Sequence, residues 1–173
     1  YFNYDVWDPQ LGLESSSHTV LPNQTAVDLF CNAQLLLPDG NIEMWGGDVL
    51  NANTGKASLQ PNDDSNLFTP LNNSLVRTGK MFRKRSYATA TTMPSGEVYI
   101  QGGTGGDDFP EVRTSTGNFR LLTGASTTYL GALYPRNFVA PDGNIFGTRY
   151  GYMYRVDPAG VGALTRLANF PGS

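Results

Sequence analysis

Apolar and polar residues alternate along short stretches of this chain, and each stretch follows a tight turn. In Gly40 to Gly47, Ile42 and Met44 alternate with Glu43 and Trp45; in Gly96 to Gly103, Val98 and Ile100 alternate with Tyr99 and Gln101. A period of two sends successive side chains to opposite faces, which predicts half-buried β-strands. Each strand follows Pro-Asp-Gly or Pro-Ser-Gly, at Pro38, Pro94 and Pro141, and these tripeptides predict edge turns. The first two strands end in glycine pairs, Gly46-Gly47 and Gly102-Gly103, where the backbone is free to bend sharply or to approach a neighbour closely.

These stretches are copies of one unit. Leu35 to Asp48 (LLLPDGNIEMWGGD), Thr91 to Thr104 (TTMPSGEVYIQGGT) and Phe138 to Gly151 (FVAPDGNIFGTRYG) align on their prolines. The alignment puts Cys31, Tyr87 and Tyr134 in equivalent positions, each seven residues before its proline. Equivalent residues on successive units of a repeat protein tend to lie side by side, so the pattern predicts a thiol beside a phenol. A second recurring element, Tyr4 to Pro9, Ser65 to Pro70, Pro110 to Leu122 and Tyr152 to Pro158, reads as outer strands.

About four short strands thus recur every 47 to 56 residues, the repeat length of a kelch-type propeller blade. The predicted fold class is all-β: a kelch-like β-propeller segment of about three to three and a half blades. Residues 1–173 read as one partial propeller domain, with blade-like repeats centred near 31–48, 87–104 and 134–151. Propellers typically close with four to eight blades, so the remaining blades are expected outside this chain. Val49 to Asp64 and Gly103 to Pro110 interrupt the pattern and are polar, which predicts loops on one face.

Composition narrows the function classes. A net charge of -3 with 16% charged residues offers no basic stripe for a phosphate backbone, which argues against nucleic acid. Apolar runs such as Leu35 to Leu37 fall far short of the roughly 20 residues of a membrane span. No basic segment followed by an apolar one opens the sequence, so no secretory signal is read from it. The single cysteine excludes an internal disulfide and leaves either a buried structural thiol or a reactive one.

The segment Asp28-Leu29-Phe30-Cys31 with its Leu-Pro-Asp-Gly turn and Gly46-Gly47, then Arg85-Ser86-Tyr87 with Met-Pro-Ser-Gly and Gly102-Gly103, resembles the copper radical oxidases, the galactose oxidase and glyoxal oxidase group. In both repeats the key residue precedes the glycine pair by 15 positions, and a weaker match runs through Tyr134-Pro135-Arg136-Asn137 to Asp157-Pro158. The resemblance implies a seven-bladed propeller in which Cys31 is joined through its sulfur to the ring of Tyr87, and Tyr87 also binds copper. Sulfur on the ring lowers the cost of removing one electron, and nitrogen and oxygen donors in a tetragonal set suit divalent copper. The activity implied is oxidation of a primary alcohol, sugar hydroxyl or small aldehyde by dioxygen, giving hydrogen peroxide. The implied location is extracellular or in the cell envelope.

The sequence also departs from that family. The second tyrosine and two histidine ligands come from later blades in the family, so further blades or a second chain are the partners expected to supply them. The only histidine, His18, precedes the cysteine motif and is expected to be structural or to support a metal ligand from behind. Where galactose oxidase has a tryptophan over the thioether, this chain reads Thr104-Gly105-Gly106, which favours a glyoxal-oxidase-like variant and means that either another blade supplies the covering aromatic or the radical is less shielded.

Other features have simpler readings. Asp5, Asp8, Asp39, Asp48 and Asp142 sit in turn motifs, where Asp caps its own backbone. Gly102 to Gly106 lacks the helix and lysine of a phosphate loop. The basic run Lys80 to Arg85 reads as a solvated strand start, with Arg85 placed to orient Tyr87. Asn23-Gln24-Thr25 and Asn72-Asn73-Ser74 are formal glycosylation sequons. Two alternatives to an oxidase remain: a non-catalytic propeller that binds protein, and a carbohydrate-binding one that stacks sugars on Trp7, Trp45, Tyr150 and Tyr152.

Overall fold

A computed structural model describes residues 3–51 and 54–170 of the chain. Its regular structure is almost entirely antiparallel β, and the strands gather into three successive four-stranded units. The first unit runs β4 (Ala33–Leu36), β5 (Ile42–Trp45), the end of β7 (Lys56–Thr69) and the start of β8 (Ser74–Thr92). The second runs from the end of β8 through β9 (Val98–Thr104) and β10 (Glu111–Arg113) to β11 (Phe119–Leu121). The third is β12 (Arg136–Val139), β13 (Ile145–Arg149), β14 (Tyr152–Asp157) and β15 (Ala163–Asn169). This is the up-and-down blade order of a propeller, and the 19 residues of β8 serve as the last strand of one unit and the first of the next.

The alternation in β5 and β9 is present, but the second face is not solvated. Val98 and Ile100 pack toward the first unit in a cluster with Ala33, Leu37, Trp45, Met81 and Ala88. Tyr99 points the other way, into a cluster with Leu122, Leu130, Ile145, Tyr154 and Val156. Stacked units bury both faces of a middle strand, so the polar half of the alternation has to find partners inside. Gln101 does so by accepting from the Tyr99 hydroxyl at 2.8 Å and donating to the Tyr154 oxygen at 3.0 Å. Glu43 accepts from Ser65 at 2.6 Å and pairs with Arg113 of the second unit at 2.8 Å. Each fully buried large apolar side chain in these clusters contributes about 1.5–3 kcal/mol, so the units are held mainly by their faces.

Several sequence expectations are corrected here. Val49 to Asp64 is not a loop: β6 (Asp48–Asn51) pairs with the start of β7, and β3 (Val27–Asp28) adds to β6. Thr104 still belongs to β9, so the second interruption starts later than its glycines suggest. Tyr4 to Pro9 overlaps β1 (Asn3–Trp7), which among the described residues pairs only with β2 (His18–Pro22) and belongs to no unit. Trp45 is wholly buried and offers no surface to a sugar. Tyr150 and Tyr152 each lie under an arginine, Arg149 at 3.7 Å and Arg166 at 4.3 Å.

The basic run is solvated at Lys80 and Lys84, as expected, but not at Arg85, which is buried. Lys80 pairs with Asp63 at 2.9 Å, Arg83 with Asp108 at 2.8 Å, and Arg85 with Glu111 at 2.9 Å deep inside the protein. Asp39, Asp142 and Asp8 do cap their turns, accepting from the amides of Asn41, Asn144 and Gln10. Asp48 instead lies buried in β6 and accepts from Ser86 Oγ at 3.0 Å.

Candidate functional site

Cys31, Tyr87 and Tyr134 form a row across the three units, linked main chain to main chain. The Tyr87 amide donates to the Cys31 carbonyl at 2.7 Å, and the Tyr134 amide donates to the Tyr87 carbonyl at 2.9 Å. All three hold left-handed backbone conformations, with φ of 59°, 70° and 45°. Such values are uncommon outside glycine and costly for bulky side chains, and they concentrate where surrounding structure dictates them and where function sits. The repeat places the same kink at the start of each unit, so three non-glycine side chains leave the backbone at neighbouring points.

The glycine pairs explain how the kinks come so close. Gly47 donates to the Arg85 carbonyl at 2.8 Å and Gly103 to the Ala132 carbonyl at 2.7 Å, each two residues before a tyrosine of the row. A Cβ on Gly46 would lie 2.0 Å from the Arg85 oxygen, and one on Gly102 2.5 Å from that of Ala132. Only glycine lets the end of one unit's second strand pass under the first strand of the next. In the third repeat Arg149 and Tyr150 stand at the glycine positions, and Tyr150 still keeps a positive φ of 47°.

Cys31 is a free, partly exposed thiol. It neighbours the Tyr87 phenol closely enough to be the first cause that holds that phenol above its ordinary pKa, ahead of burial and the charge of Asp48. The Tyr134 phenol is also raised, by burial first and then by Cys31. Both phenols are therefore neutral at pH 7, and a cation that takes either oxygen must displace its proton. The Tyr87 and Tyr134 rings meet edge to face, 5.5 Å between centres and 84° between planes. An aromatic neighbour for Tyr87 comes from the next unit, and it meets the ring by its edge and does not stack on it.

Arg85, expected to orient Tyr87, works through the backbone. It is fully buried, pairs with Glu111, and donates to the carbonyls of Gly102 at 2.6 Å, Gly106 at 2.5 Å and Phe109 at 2.7 Å. Glu111 in turn accepts from the amides of Phe82 at 2.6 Å and Arg83 at 2.9 Å. Burial pulls the guanidinium below its ordinary pKa, and the carboxylate of Glu111 opposes that. The network clamps the loop after β9 onto the segment that carries Tyr87. Glu111 and Asp48 were invisible as site residues in the sequence; Tyr134 was marked by its proline offset.

His18 stands apart from the row in the β1–β2 hairpin, where its ring pairs with Asp5 at 2.6 Å on the surface. Among the described residues no three His, Cys, Asp or Glu stand close enough together to hold a metal ion. The row itself presents one thiol and two phenols.

The sequence matches no protein-family model and none of the curated proteins. In three dimensions the chain is similar to a fungal alcohol oxidase of the AA5 family solved in complex with copper, with a TM-score of 0.77 at 16% sequence identity. The similarity covers 99% of this chain and 36% of that one. At this identity the likeness is one of fold, and it places the chain as an all-β propeller segment with the architecture of part of a copper-containing oxidase.

Proposed function

We propose that this chain is the thiol- and phenol-bearing part of a copper radical oxidase that uses dioxygen to oxidise a primary alcohol, sugar hydroxyl or small aldehyde. The observation that carries the reading is the placement of Cys31 beside Tyr87, on adjacent units, through a 2.7 Å main-chain hydrogen bond between kinked residues. Joining Cys31 sulfur to the Tyr87 ring removes the thiol hydrogen and one ring hydrogen, two protons and two electrons, which dioxygen accepts as it becomes hydrogen peroxide. Copper bound at the Tyr87 oxygen supplies a one-electron acceptor beside the ring.

The chain's own part is positional. The Arg85–Glu111 clamp and the glycine crossings fix Tyr87 against Cys31, and preorganisation of this kind spares the reaction the cost of bringing the groups together. Tyr87 would hold copper through its phenol oxygen, and the proton that Cys31 and burial keep there would have to leave as the metal binds. The remaining tyrosine and histidine donors belong to further blades or a second chain, and the complete protein acts outside the cell or in its envelope. No helix among the described residues is long and apolar enough to cross a membrane.

Mass spectrometry of the full-length protein after aerobic copper loading tests this. The expected result is a loss of two hydrogens and a cross-linked peptide holding both Cys31 and Tyr87, absent in Cys31→Ser. An alkylatable Cys31 after copper and dioxygen would overturn the oxidase and leave a binding propeller.

A further inference from the structure

The outer strands of the second and third units differ in length. β11 has three residues and β15 has seven, so β11 cannot cover the whole face that β14 and β15 turn toward it. The chain after β11 fills part of the difference. The Gly124 amide donates to the Val161 carbonyl at 2.8 Å, and Tyr129 meets the Tyr152 ring edge to face with centres 5.6 Å apart. A notch of about 430 Å³ is left there, lined by Gly124, Ser126, Tyr129, Leu164 and Arg166. It shares no residue with the row of Cys31, Tyr87 and Tyr134.

The charged residue of the notch stands where the repeat calls for a core residue. Leu164 and Arg166 are register partners of the wholly buried Val156 and Tyr154, so both point toward the second unit, and Leu164 packs against the cluster there. The Arg166 guanidinium lies over the Tyr152 ring at 4.3 Å and donates to Asn169 Oδ1 at 2.7 Å. An aromatic face and one hydrogen bond fix its plane, and a guanidinium has five N–H donors, so most of them stay available. No carboxylate lines the notch to take them. Tyr129 is 45% exposed, which leaves its ring open to a second contact besides Tyr152.

We propose that this notch binds a planar aromatic carboxylate. Arg166 supplies charge and paired N–H groups for the carboxylate, while Tyr129 and Leu164 supply apolar contact for the ring. The volume falls within the roughly 300–1,000 Å³ usual for small-ligand sites. The same lining tells against a sugar acid, whose several hydroxyls each need a partner. Besides Arg166 and the Tyr129 phenol, the only polar side chain is Ser126, whose hydroxyl already lies 3.3 Å from that of Thr128. The site goes beyond the oxidase reading and stands without it.

Calorimetric titration of the full-length protein at low salt tests this with benzoate and 4-hydroxycinnamate. Benzamide carries the ring without the charge, acetate the charge without the ring, and glucuronate is the sugar acid. Both aromatic acids are expected to bind at least ~10-fold more tightly than any of these three. Arg166→Met is expected to weaken their binding at least ~10-fold, and Arg166→Lys less, because it keeps charge without the planar edge. Tyr129→Ala, at an exposed ring, is expected to weaken it about 5-fold and guards against a folding defect at Arg166. Arg136→Met, at an exposed position of β12 outside the notch, is expected to leave it unchanged. Aromatic acids that do not bind, or that bind Arg166→Met or Tyr129→Ala as tightly as wild type, would overturn the site. Benzamide, acetate or glucuronate binding as tightly as benzoate would overturn the ligand class, and a loss in Arg136→Met equal to that in Arg166→Met would overturn the location.

Discussion

The crossing from the first unit to the second and the crossing from the second to the third share one backbone and differ in what fills it. In each, the second glycine of a pair donates to a carbonyl two residues before a left-handed tyrosine, at 2.8 Å and 2.7 Å. At the first crossing that carbonyl belongs to Arg85, whose side chain is wholly buried in an ionic network; at the second it belongs to Ala132, which has nothing to clamp. Tyr87 is accordingly half-buried, whereas Tyr134 is 52% exposed. A repeat fixes where the backbone goes, and single side chains then decide which copy is covered and which stays exposed.

The comparison breaks hardest at Arg85. Arg85→Met leaves Glu111 charged and buried and strips donors from three carbonyls, so a loss of about 3–5 kcal/mol is expected in chemical denaturation. Many buried ion pairs tolerate joint apolar replacement, but here Arg85→Met with Glu111→Leu is expected to stay destabilised, because the amides of Phe82 and Arg83 lose their acceptor too. Full recovery in the double variant would show that the network is a pair and not a clamp.

Smaller effects sharpen the likeness of the two crossings. Gly46→Ala and Gly102→Ala meet carbonyl oxygen at a positive φ, and each is expected to cost about 2–3 kcal/mol. Gly143→Ala, at a φ of 84° with open space around it, carries backbone strain alone and is expected to cost about 1 kcal/mol. Equal losses at all three positions would mean that close approach does not matter at the crossings.

The smallest effect is a pH dependence away from the crossings. Burial raises the Tyr99 and Tyr154 phenols above their ordinary pKa. A raised folded value favours the protonated form, so this stability is intact below the ordinary tyrosine pKa of about 10 and is lost as pH climbs toward the folded values. Denaturation midpoints from pH 8 to 11 should fall at the alkaline end, and less so in Tyr154→Phe.

The strands and the equivalence of Cys31, Tyr87 and Tyr134 were legible because turn chemistry and a fixed offset from proline are local properties. The β6–β7 hairpin was not, because Val49 to Asp64 is rich in Asn and Asp and reads as loop, while its pairing is set by β3 and by the first unit. Glu111 lies 26 residues from Arg85, and nothing local announces such a pair. Asp48 ends a repeat and so looks like a turn residue, yet the next unit covers it. Local pattern finds the frame, and contacts between units decide which polar residues on it are used.

The length of β8 also has a mechanical meaning. A single strand from Ser74 to Thr92, paired with β7 through two bulges and then with β9 from Ser86, gives two units a common spar, so neither can peel away without tearing its neighbour's edge. The third unit joins through the turns after β11 instead and has no such spar. In native-state hydrogen exchange the third unit is therefore expected to open by itself, and the first two to open together.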